Sequence, residues 1–182
     1  MKPLPNFKDV SVSINNGRLP NGGYVLKITE ATDDPKKEYL RIVYDVAEGP
    51  RAKHYSDEWG KTNTYAHAFY RSYKEKARHM FKEFLVAVDA SNATDFVKEA
   101  EKGLDENKLV GKLFGAVIGE EEYRTDRGDV KTRQYVSAVM SADRIRAKDF
   151  TIPAFKPLKD AMQPAPDVTF SVNPINEDDL PF

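Results

Sequence analysis

The chain has 182 residues, with 28 lysines and arginines against 29 aspartates and glutamates, so its formal net charge is −1. It has no cysteine, which excludes disulfides, thiolate nucleophiles and cysteine-ligated zinc. No stretch approaches the roughly 20 apolar residues that cross a bilayer, and the N-terminus lacks the apolar core of a signal peptide. We therefore expect a cytoplasmic protein with no membrane partner.

The first third of the chain is typical of β-strands. Residues 1–21 hold three prolines and are expected to form an irregular arm with a short strand at 10–14. Residues 24–31 and 38–46 each place alternate side chains on opposite faces, which predicts two strands. After a Gly-Pro turn signal we expect a shorter third strand at residues 51–56.

The hydrophobic period changes between residues 70 and 88, where aromatic and aliphatic side chains recur every three or four positions and predict a helix. A shorter helix is expected at residues 95–102. Strand patterns return at 109–119 and 130–140, and the hairpin that leads into the last strand has Arg127-Gly128 at its tip.

This order of three strands, a helix and two strands is that of an OB-fold, a small five-stranded barrel with the helix between strands 3 and 4. We predict a mainly β fold with a helical insertion, in which residues 1–150 form an OB-fold-like domain that ends near a helical turn at 143–147. Residues 151–176 contain prolines and no apolar periodicity, which predicts a flexible linker. Residues 177–182 are an acidic tip that closes a disordered C-terminal tail.

The near-zero net charge hides an uneven distribution. Residues 159–182 contain one base and five acids, whereas residues 1–158 contain 27 bases and 24 acids, which gives charges of −4 and +3. Residues 51–82 carry eight bases against three acids, with seven of the 20 aromatic residues and all three histidines. Interleaved cations and rings suit a surface that follows a phosphate backbone and stacks on unpaired bases. A basic, solvated helix with its rings in the core is the alternative.

The last six residues combine three acids with a Pro-Phe end: Glu177, Asp178, Asp179, Leu180, Pro181 and Phe182. A basic pocket with an apolar slot would bind such a peptide, because Phe182 fills the slot while its α-carboxylate pairs with an Arg or Lys. We therefore predict a protein-interaction tip. An ordinary acidic tail is the alternative.

The tip resembles the acidic end of bacterial and phage single-stranded DNA-binding proteins, with Glu177 where Asp is usual and Leu180 where Ile is usual. Residues 19–31, 72–92 and 111–124 are similar to a phage-encoded group of these proteins from viruses of Gram-positive bacteria. The resemblance implies an OB-type body that coats single-stranded DNA in an infected or lysogenic bacterial host. It also implies a tail that recruits replication or recombination proteins.

The resemblance further implies which residues contact DNA. Phosphate contacts are expected from Lys27, Arg41, Arg51, Lys53, Lys131 and Arg133. Base stacking is expected from Tyr39, Tyr55, Trp59 and Tyr135, although Trp59 is equally compatible with a loop anchored in the core. The hairpin at 123–133 adds Arg124 and Arg127, because the loop between the last two strands of an OB-fold often closes over the ligand. Side chains expected in the core are Tyr24, Tyr44, Phe81, Phe84 and Phe114.

Catalysis is not expected, and neither a cofactor nor a metal is predicted. The sequence has no GxxxxGK[ST] loop and no HExxH motif. Residues 106–108 match the end of a metal-dependent nuclease pattern, with Asp95 or Asp105 upstream, but such short matches are frequent by chance. The nearer alternatives are a single-strand annealing protein and an OB-type protein-interaction adaptor. A homo-oligomer would lengthen the DNA path, and the tip is expected to fold back onto an empty DNA groove.

Overall fold

The structure is a computed structural model that describes Pro3 and residues 18–158. The predicted strand at 10–14, most of the predicted linker and the tip lie outside these residues. The strands are β1 (Gly22–Asp34), β2 (Tyr39–Val46), β3 (Ala68–Ser72), β4 (Leu113–Arg124) and β5 (Val130–Met140). The helices are α1 (Glu58–Thr62), α2 (Arg78–Asn92), α3 (Phe96–Ala100) and α4 (Ala142–Arg146), with 3₁₀ segments at Thr64–His67, Glu75–Ala77 and Glu106–Leu109.

The five strands form one antiparallel sheet in the order β3-β2-β1-β4-β5. Within the described part of the chain β3 and β5 are its two edges, so the sheet is open. The predicted mainly β fold with a helix between the third and fourth strands is confirmed, and the strand order is compatible with an OB-like fold. No helix within residues 18–158 is both long and apolar enough to cross a membrane.

One face of the sheet, called the inner face, forms the main core together with α2. Ile28 of β1, Ile42 of β2 and Phe114 of β4 point to this face and are fully buried. α2 covers them with Phe84 and Leu85, and the rings of Phe84 and Phe114 meet edge to face at 5.6 Å. Burying one such side chain contributes roughly 1.5–3 kcal/mol, so packing rather than helix propensity holds α2 in place.

The core residues expected from the sequence are confirmed. Tyr44, Phe84 and Phe114 are buried, while Tyr24 and Phe81 are partly buried and pack against the same cluster. Burial raises the pKa of the Tyr44 hydroxyl well above its ordinary value. These rings belong to the inner face and do not contribute to an outer binding surface.

A β-bulge divides β1 into two parts. Thr29 is the extra residue and has no partner on β2. Beyond it, Ala31 is buried in the core, while Glu30 lies on the opposite face of the sheet, called the outer face. Residues 22–27 of β1 pair with β4, whereas residues 26–34 pair with β2. β4 and β2 therefore pair with nearly separate stretches of β1, which overlap only at residues 26–27.

The outer face carries a second, smaller apolar cluster beneath α4. Val25, Val117 and Met140 of the sheet pack against Ala142 and Ile145 of the helix. The predicted helical turn at 143–147 is thus confirmed, with α4 beginning one residue earlier. Because this cluster occupies the middle of the outer face, a ligand on that face can reach the sheet only on either side of α4.

Residues 149–158, called the strap, continue from α4 across the outer face. Gly23 and Gly119 allow the close approach, since a Cβ at either position would stand within 2.6 Å of a strap side chain. The backbone of Lys156 forms a parallel bridge with Glu121 of β4. Pro153, Lys156 and Leu158, which lie in the first eight residues of the predicted linker, therefore contact the sheet.

Residues 51–56, predicted as the third strand, form a turn. Lys53 has a left-handed φ of 61°, which interrupts extended backbone, and its N–H donates to the Val46 carbonyl at 2.8 Å. The Asp45 carboxylate accepts the Tyr55 N–H at 2.9 Å. These bonds fold the segment onto the end of β2, so the strand prediction is wrong here.

The third strand is instead β3, part of which lies inside the segment predicted to be helical. Tyr70 and Tyr73 do share helical spacing with later residues, but Phe69 is buried and the segment pairs with β2 along its length. Core burial of Phe69 and the ladder to β2 outweigh the helical pattern. α2 begins only at Arg78, after the 3₁₀ segment.

The later elements follow the prediction more closely. β5 has the predicted bounds, and α3 lies inside the predicted range. β4 begins four residues later than predicted, because Gly111 adopts a φ of 85° and turns the chain just before the strand. The strand then continues beyond the predicted end, to Arg124. Arg127 and Gly128 lie at the hairpin tip as expected, where the Thr125 N–H donates to the Asp129 carbonyl at 2.8 Å.

Candidate nucleic-acid interface

Tyr39, Arg41, Thr64 and Tyr70 form a surface cluster on the outer face of β2 and β3, called the β2–β3 patch. Arg41 and Tyr70 are direct partners in the ladder, and the rings of Tyr39 and Tyr70 meet edge to face at 5.1 Å. Tyr70 is 54% exposed. The ammonium of Lys37 lies 5.8 Å from the centre of the Tyr39 ring. The patch therefore combines accessible aromatic surface with positive charge.

The guanidinium of Arg41 has a fixed position in this patch. Its Nη1 donates to Glu30 Oε1 at 2.8 Å and its Nη2 donates to Thr64 Oγ1 at 2.8 Å. The Thr32 hydroxyl lies 3.1 Å from the same Glu30 oxygen. Arg41 thus links three segments, and an ion pair neutralises its charge in the free protein.

The segment from Asp57 to His67, called the helical insert, presents two further exposed rings beside β3. Trp59 is 41% exposed and Tyr65 is 75% exposed. The carboxylate of Asp57 caps α1 by accepting the Gly60 N–H at 2.7 Å. The Tyr65 hydroxyl bonds the side chain of Asn63 at 2.9 Å. Local hydrogen bonds therefore hold both rings in position at the surface.

His67 fastens the insert to the sheet. Its ring is buried and stacks on Tyr55, with the centroids 4.3 Å apart and the planes 8° from parallel. Nδ1 contacts the carbonyl oxygen of Tyr44, and Nε2 lies 3.1 Å from the carbonyl oxygen of Gly60. The two ring nitrogens thus face backbone carbonyls of β2 and of α1, which ties the insert to the sheet.

Tyr55 does not belong to the surface. It is 3% exposed, and its burial together with the nearby Tyr44 and Asp45 raises the pKa of its hydroxyl. The turn at residues 51–56 directs this ring beneath the insert, where it supports His67. The prediction that Tyr55 stacks on bases is therefore wrong, because the ring has no free face.

The remaining bases predicted near β1 and β2 lie on both sides of the patch. Lys27 is exposed on the outer face of β1, opposite Asp45 in the ladder. Lys53 is exposed in the turn after β2, whereas Arg51 is half-buried there. Of these three, Lys27 and Lys53 present their charge most openly to solvent.

The predicted residues of β4, β5 and their hairpin form a second group. Arg127 and Lys131 are exposed, and Arg124 is exposed and donates to the Gly128 carbonyl at 3.0 Å, which closes the hairpin. Arg133 pairs with Glu121 at 2.8 Å. These four bases lie at one end of the sheet, where β4 and β5 extend past the start of β1.

Tyr135 belongs to the second group but is covered. The ammonium of Lys156 in the strap lies 4.1 Å from the centre of the Tyr135 ring. The glycine opposite Tyr135 in the ladder is Gly119, over which the strap residue Pro153 packs. The strap therefore occupies the position in which a base would stack on Tyr135.

The register separates the two groups along the sheet. Arg41 pairs with Thr32 near the end of β1, while Tyr135 pairs with Gly119 beyond the start of β1 at Gly22. α4 covers the outer face between them. The structure thus brings together Tyr39 and Arg41, and separately the bases of the β4–β5 hairpin, but it does not merge the two.

Tyr65 and Tyr70 are the exposed rings that the sequence analysis missed. Tyr70 was assigned to the buried stripe of a helix because of its spacing to later aromatic residues. The period-two pattern of residues 68–72, with Phe69 buried and Tyr70 exposed, is the signal that identifies it. Nothing in the local pattern around Tyr65 distinguishes it from a core ring.

A basic stripe at the start of α2, formed by Lys74 before the helix and by Arg78 and Lys82 within it, lies on the other side of the molecule. Lys74, Arg78 and Lys82 are exposed, and the last two stand at the rim of a cleft of about 620 Å³ between α2 and α3. Leu40 and Leu85 form part of its apolar lining. Because α2 packs on the inner face, this stripe does not extend the β2–β3 patch.

The residues of the nuclease-like pattern have local structural partners. Asp105 accepts the Asn107 N–H at 3.1 Å and so caps the 3₁₀ segment there. Lys108 pairs with Glu99 of α3 at 2.8 Å, which raises the pKa of Lys108. Among the residues that the structure describes, no group of three or more His, Cys, Asp or Glu side chains is placed to hold a metal ion.

No model of a known protein family matches the sequence, and no curated protein matches it. The geometry of the outer face and the resemblance of the sequence motifs are therefore what point to a function. The β2–β3 patch is the described surface on which exposed rings and a positioned cation lie together.

Proposed function

We propose that the protein is a non-enzymatic single-stranded DNA-binding protein of phage type, with an OB-like body. The observation that carries the proposal is the β2–β3 patch, in which the exposed ring of Tyr70 lies edge-on to Tyr39 and beside Arg41. Rings next to a cation suit a ligand that offers unpaired bases and phosphates together. The motifs shared with phage single-stranded DNA-binding proteins support the same class.

Binding would combine stacking with electrostatic attraction. Tyr70, Tyr65 and Trp59 offer open ring faces, and each stacked base would contribute about 1–3 kcal/mol whatever its identity. Arg41, Lys27 and the bases of the hairpin would contact phosphates. Such binding has little sequence preference and weakens as salt rises, because phosphate contacts release condensed counterions. Coating by many copies would protect the strand and suppress re-pairing.

The acidic tip at residues 177–182 would recruit partner proteins to the coated strand. Its two apolar residues near the end, Leu180 and Phe182, would enter an apolar slot, and its acids would pair with a basic rim. The natural partners are replication or recombination proteins that act on the same DNA. DNA binding and recruitment would then reside in different parts of one chain.

Fluorescence of Trp59 tests the proposal, because it is the single tryptophan of the chain and is 41% exposed. Titration with oligo-dT should quench the signal, and an equally long duplex should bind more weakly. The logarithm of the association constant for oligo-dT should fall linearly with the logarithm of the salt concentration, with a slope of about −0.7 for each phosphate contact. Equal weak binding to both ligands would overturn the proposal.

A protein-interaction adaptor is the second candidate, and the cleft between α2 and α3 favours it. The cleft has a volume of about 620 Å³, an apolar lining that includes Leu40 and Leu85, and the charges of Arg78, Lys82 and Glu101 at its rim. Such a site suits an amphipathic peptide. If oligo-dT leaves the fluorescence of Trp59 unchanged at low salt, the adaptor becomes the better interpretation.

A further inference from the structure

The charge of Arg41 is already satisfied in the free protein. Glu30 Oε1 lies 2.8 Å from Nη1, and Thr64 Oγ1 lies 2.8 Å from Nη2. The bulge at Thr29 is what puts Glu30 on the outer face, since strict alternation along β1 would have continued the inward series of even-numbered residues. A carboxylate therefore covers the best-positioned cation of the patch.

We infer that Glu30 occupies the place on Arg41 that a phosphate group of the DNA takes in the complex, and that it thereby lowers the affinity of the patch. The inference rests on the proposed function. Carboxylate and phosphate oxygens accept hydrogen bonds from the same guanidinium donors, so a phosphate oxygen can replace Glu30 Oε1 on Nη1 without moving the arginine. The hydroxyl of Thr64 would retain the second donor during this exchange.

The exposed fractions of Arg41 and Glu30 indicate which of the two side chains would leave the ion pair when a phosphate binds. The Arg41 side chain is 23% exposed, while that of Glu30 is 49% exposed. The arginine lies against the sheet and is held by Thr64, whereas the glutamate can rotate into water at little cost. An exposed ion pair changes an equilibrium constant by about fivefold at most, so a phosphate that is held by neighbouring stacking contacts can displace it.

The second arginine–glutamate pair of the outer face has the opposite arrangement. Arg133 lies 2.8 Å from Glu121, but here the arginine is 58% exposed and the glutamate 22% exposed. The backbone of Glu121 is also bridged by the strap. In that pair a phosphate would draw the arginine away and leave the carboxylate behind, so we assign the exchange to Glu30 and Arg41 rather than to Glu121 and Arg133.

A double-mutant cycle on Glu30 and Arg41 tests the inference, with oligo-dT as the ligand and the full chain as the protein. Glu30→Gln should tighten binding by about two- to fivefold, the equivalent of one exposed ion pair. In the Arg41→Gln background, Glu30→Gln should have no further effect.

Glu99→Gln is the matched control. It also removes one negative charge and breaks an ion pair of 2.8 Å, with Lys108, but on α3, on the inner side of the sheet. The inference is overturned if Glu99→Gln tightens binding as much as Glu30→Gln does, or if Glu30→Gln still tightens binding without Arg41. If the unmodified chain does not bind oligo-dT, the proposed function itself fails. That result is distinct from the two outcomes that overturn the inference.

Discussion

Two tyrosines close together in sequence have opposite roles because of the elements that carry them. Tyr70 lies on β3, where the ladder to β2 directs it outward, and it is 54% exposed. Tyr55 lies in a turn that directs it inward, beneath the buried ring of His67. The sequence predicts that both segments are aromatic and basic. It does not predict which rings are open, because that depends on a turn and a strand that local spacing does not reveal.

Substitution of Tyr70 by Ala should weaken oligo-dT binding about 5- to 150-fold, the equivalent of losing one stacked base. Unfolding stability should change little, because most of the ring is in solvent. Tyr70→Phe should retain most of the affinity, since the ring face is preserved. Fluorescence titration and thermal melting measure the two effects.

Phe155→Ala provides the control for Tyr70. Phe155 is an aromatic residue of similar exposure, 45%, but it lies on the strap and outside the β2–β3 patch. Its loss should leave the affinity for oligo-dT unchanged. Equal losses in the two variants would mean that the patch has no special part in binding.

The strap and the helical insert decide which parts of the outer face are open. The insert adds Trp59 and Tyr65 beside β3, while the strap covers Tyr135 and bridges β4. The sequence correctly predicts the bounds of the strand of residues 130–140, although a bulge at Ser137 interrupts its alternation. It does not predict the strap, because residues after 150 have no periodicity and are held by contacts to distant glycines.

Substitution of Gly119 by Val should detach the strap. The Cβ would stand 2.6 Å from the ring of Pro153, and the backbone of β4 cannot move away without breaking its ladder. We expect a loss of about 1–3 kcal/mol in the free energy of unfolding and faster proteolytic cleavage within residues 149–158. Thermal melting and limited proteolysis measure these effects.

Ser137→Val is the control for Gly119, because it introduces the same side chain at an exposed position of β5. That variant should keep the cleavage rate of the unmodified chain. If Gly119→Val also leaves the cleavage rate and the melting temperature unchanged, the strap does not depend on this close approach.

Across the whole molecule, charge is divided between the ends of the sequence. Residues 1–158 carry +3 and residues 159–182 carry −4, so one chain holds a basic body and an acidic segment that, under the proposed function, would compete with DNA for that body. Composition alone shows this division. Composition does not show where the positive charge lies on the body, because several cations are paired with carboxylates. Arg41, Lys61 and Arg146 are examples.

Removal of residues 177–182 should tighten oligo-dT binding severalfold at low salt, because the acidic tip no longer competes for the basic surface. The difference should vanish near 1 M salt, where charges are screened beyond about 3 Å. Phe182→Ala retains the acids and should leave DNA affinity unchanged while it weakens partner binding. Unchanged affinity after the deletion would argue against competition by the tip.

The bulge at Thr29 makes β1 the corner of the molecule. Because the strand pairs with β4 over its first half and with β2 over its second half, the sheet consists of two arms that share only a short stretch of backbone. One arm carries the β2–β3 patch and the other carries the basic hairpin. A bulge increases the local twist, so Thr29 adds to the rotation of one arm relative to the other. A DNA strand that contacts both arms must turn where β1 turns, and the number of nucleotides bound by each copy is then a property of that corner.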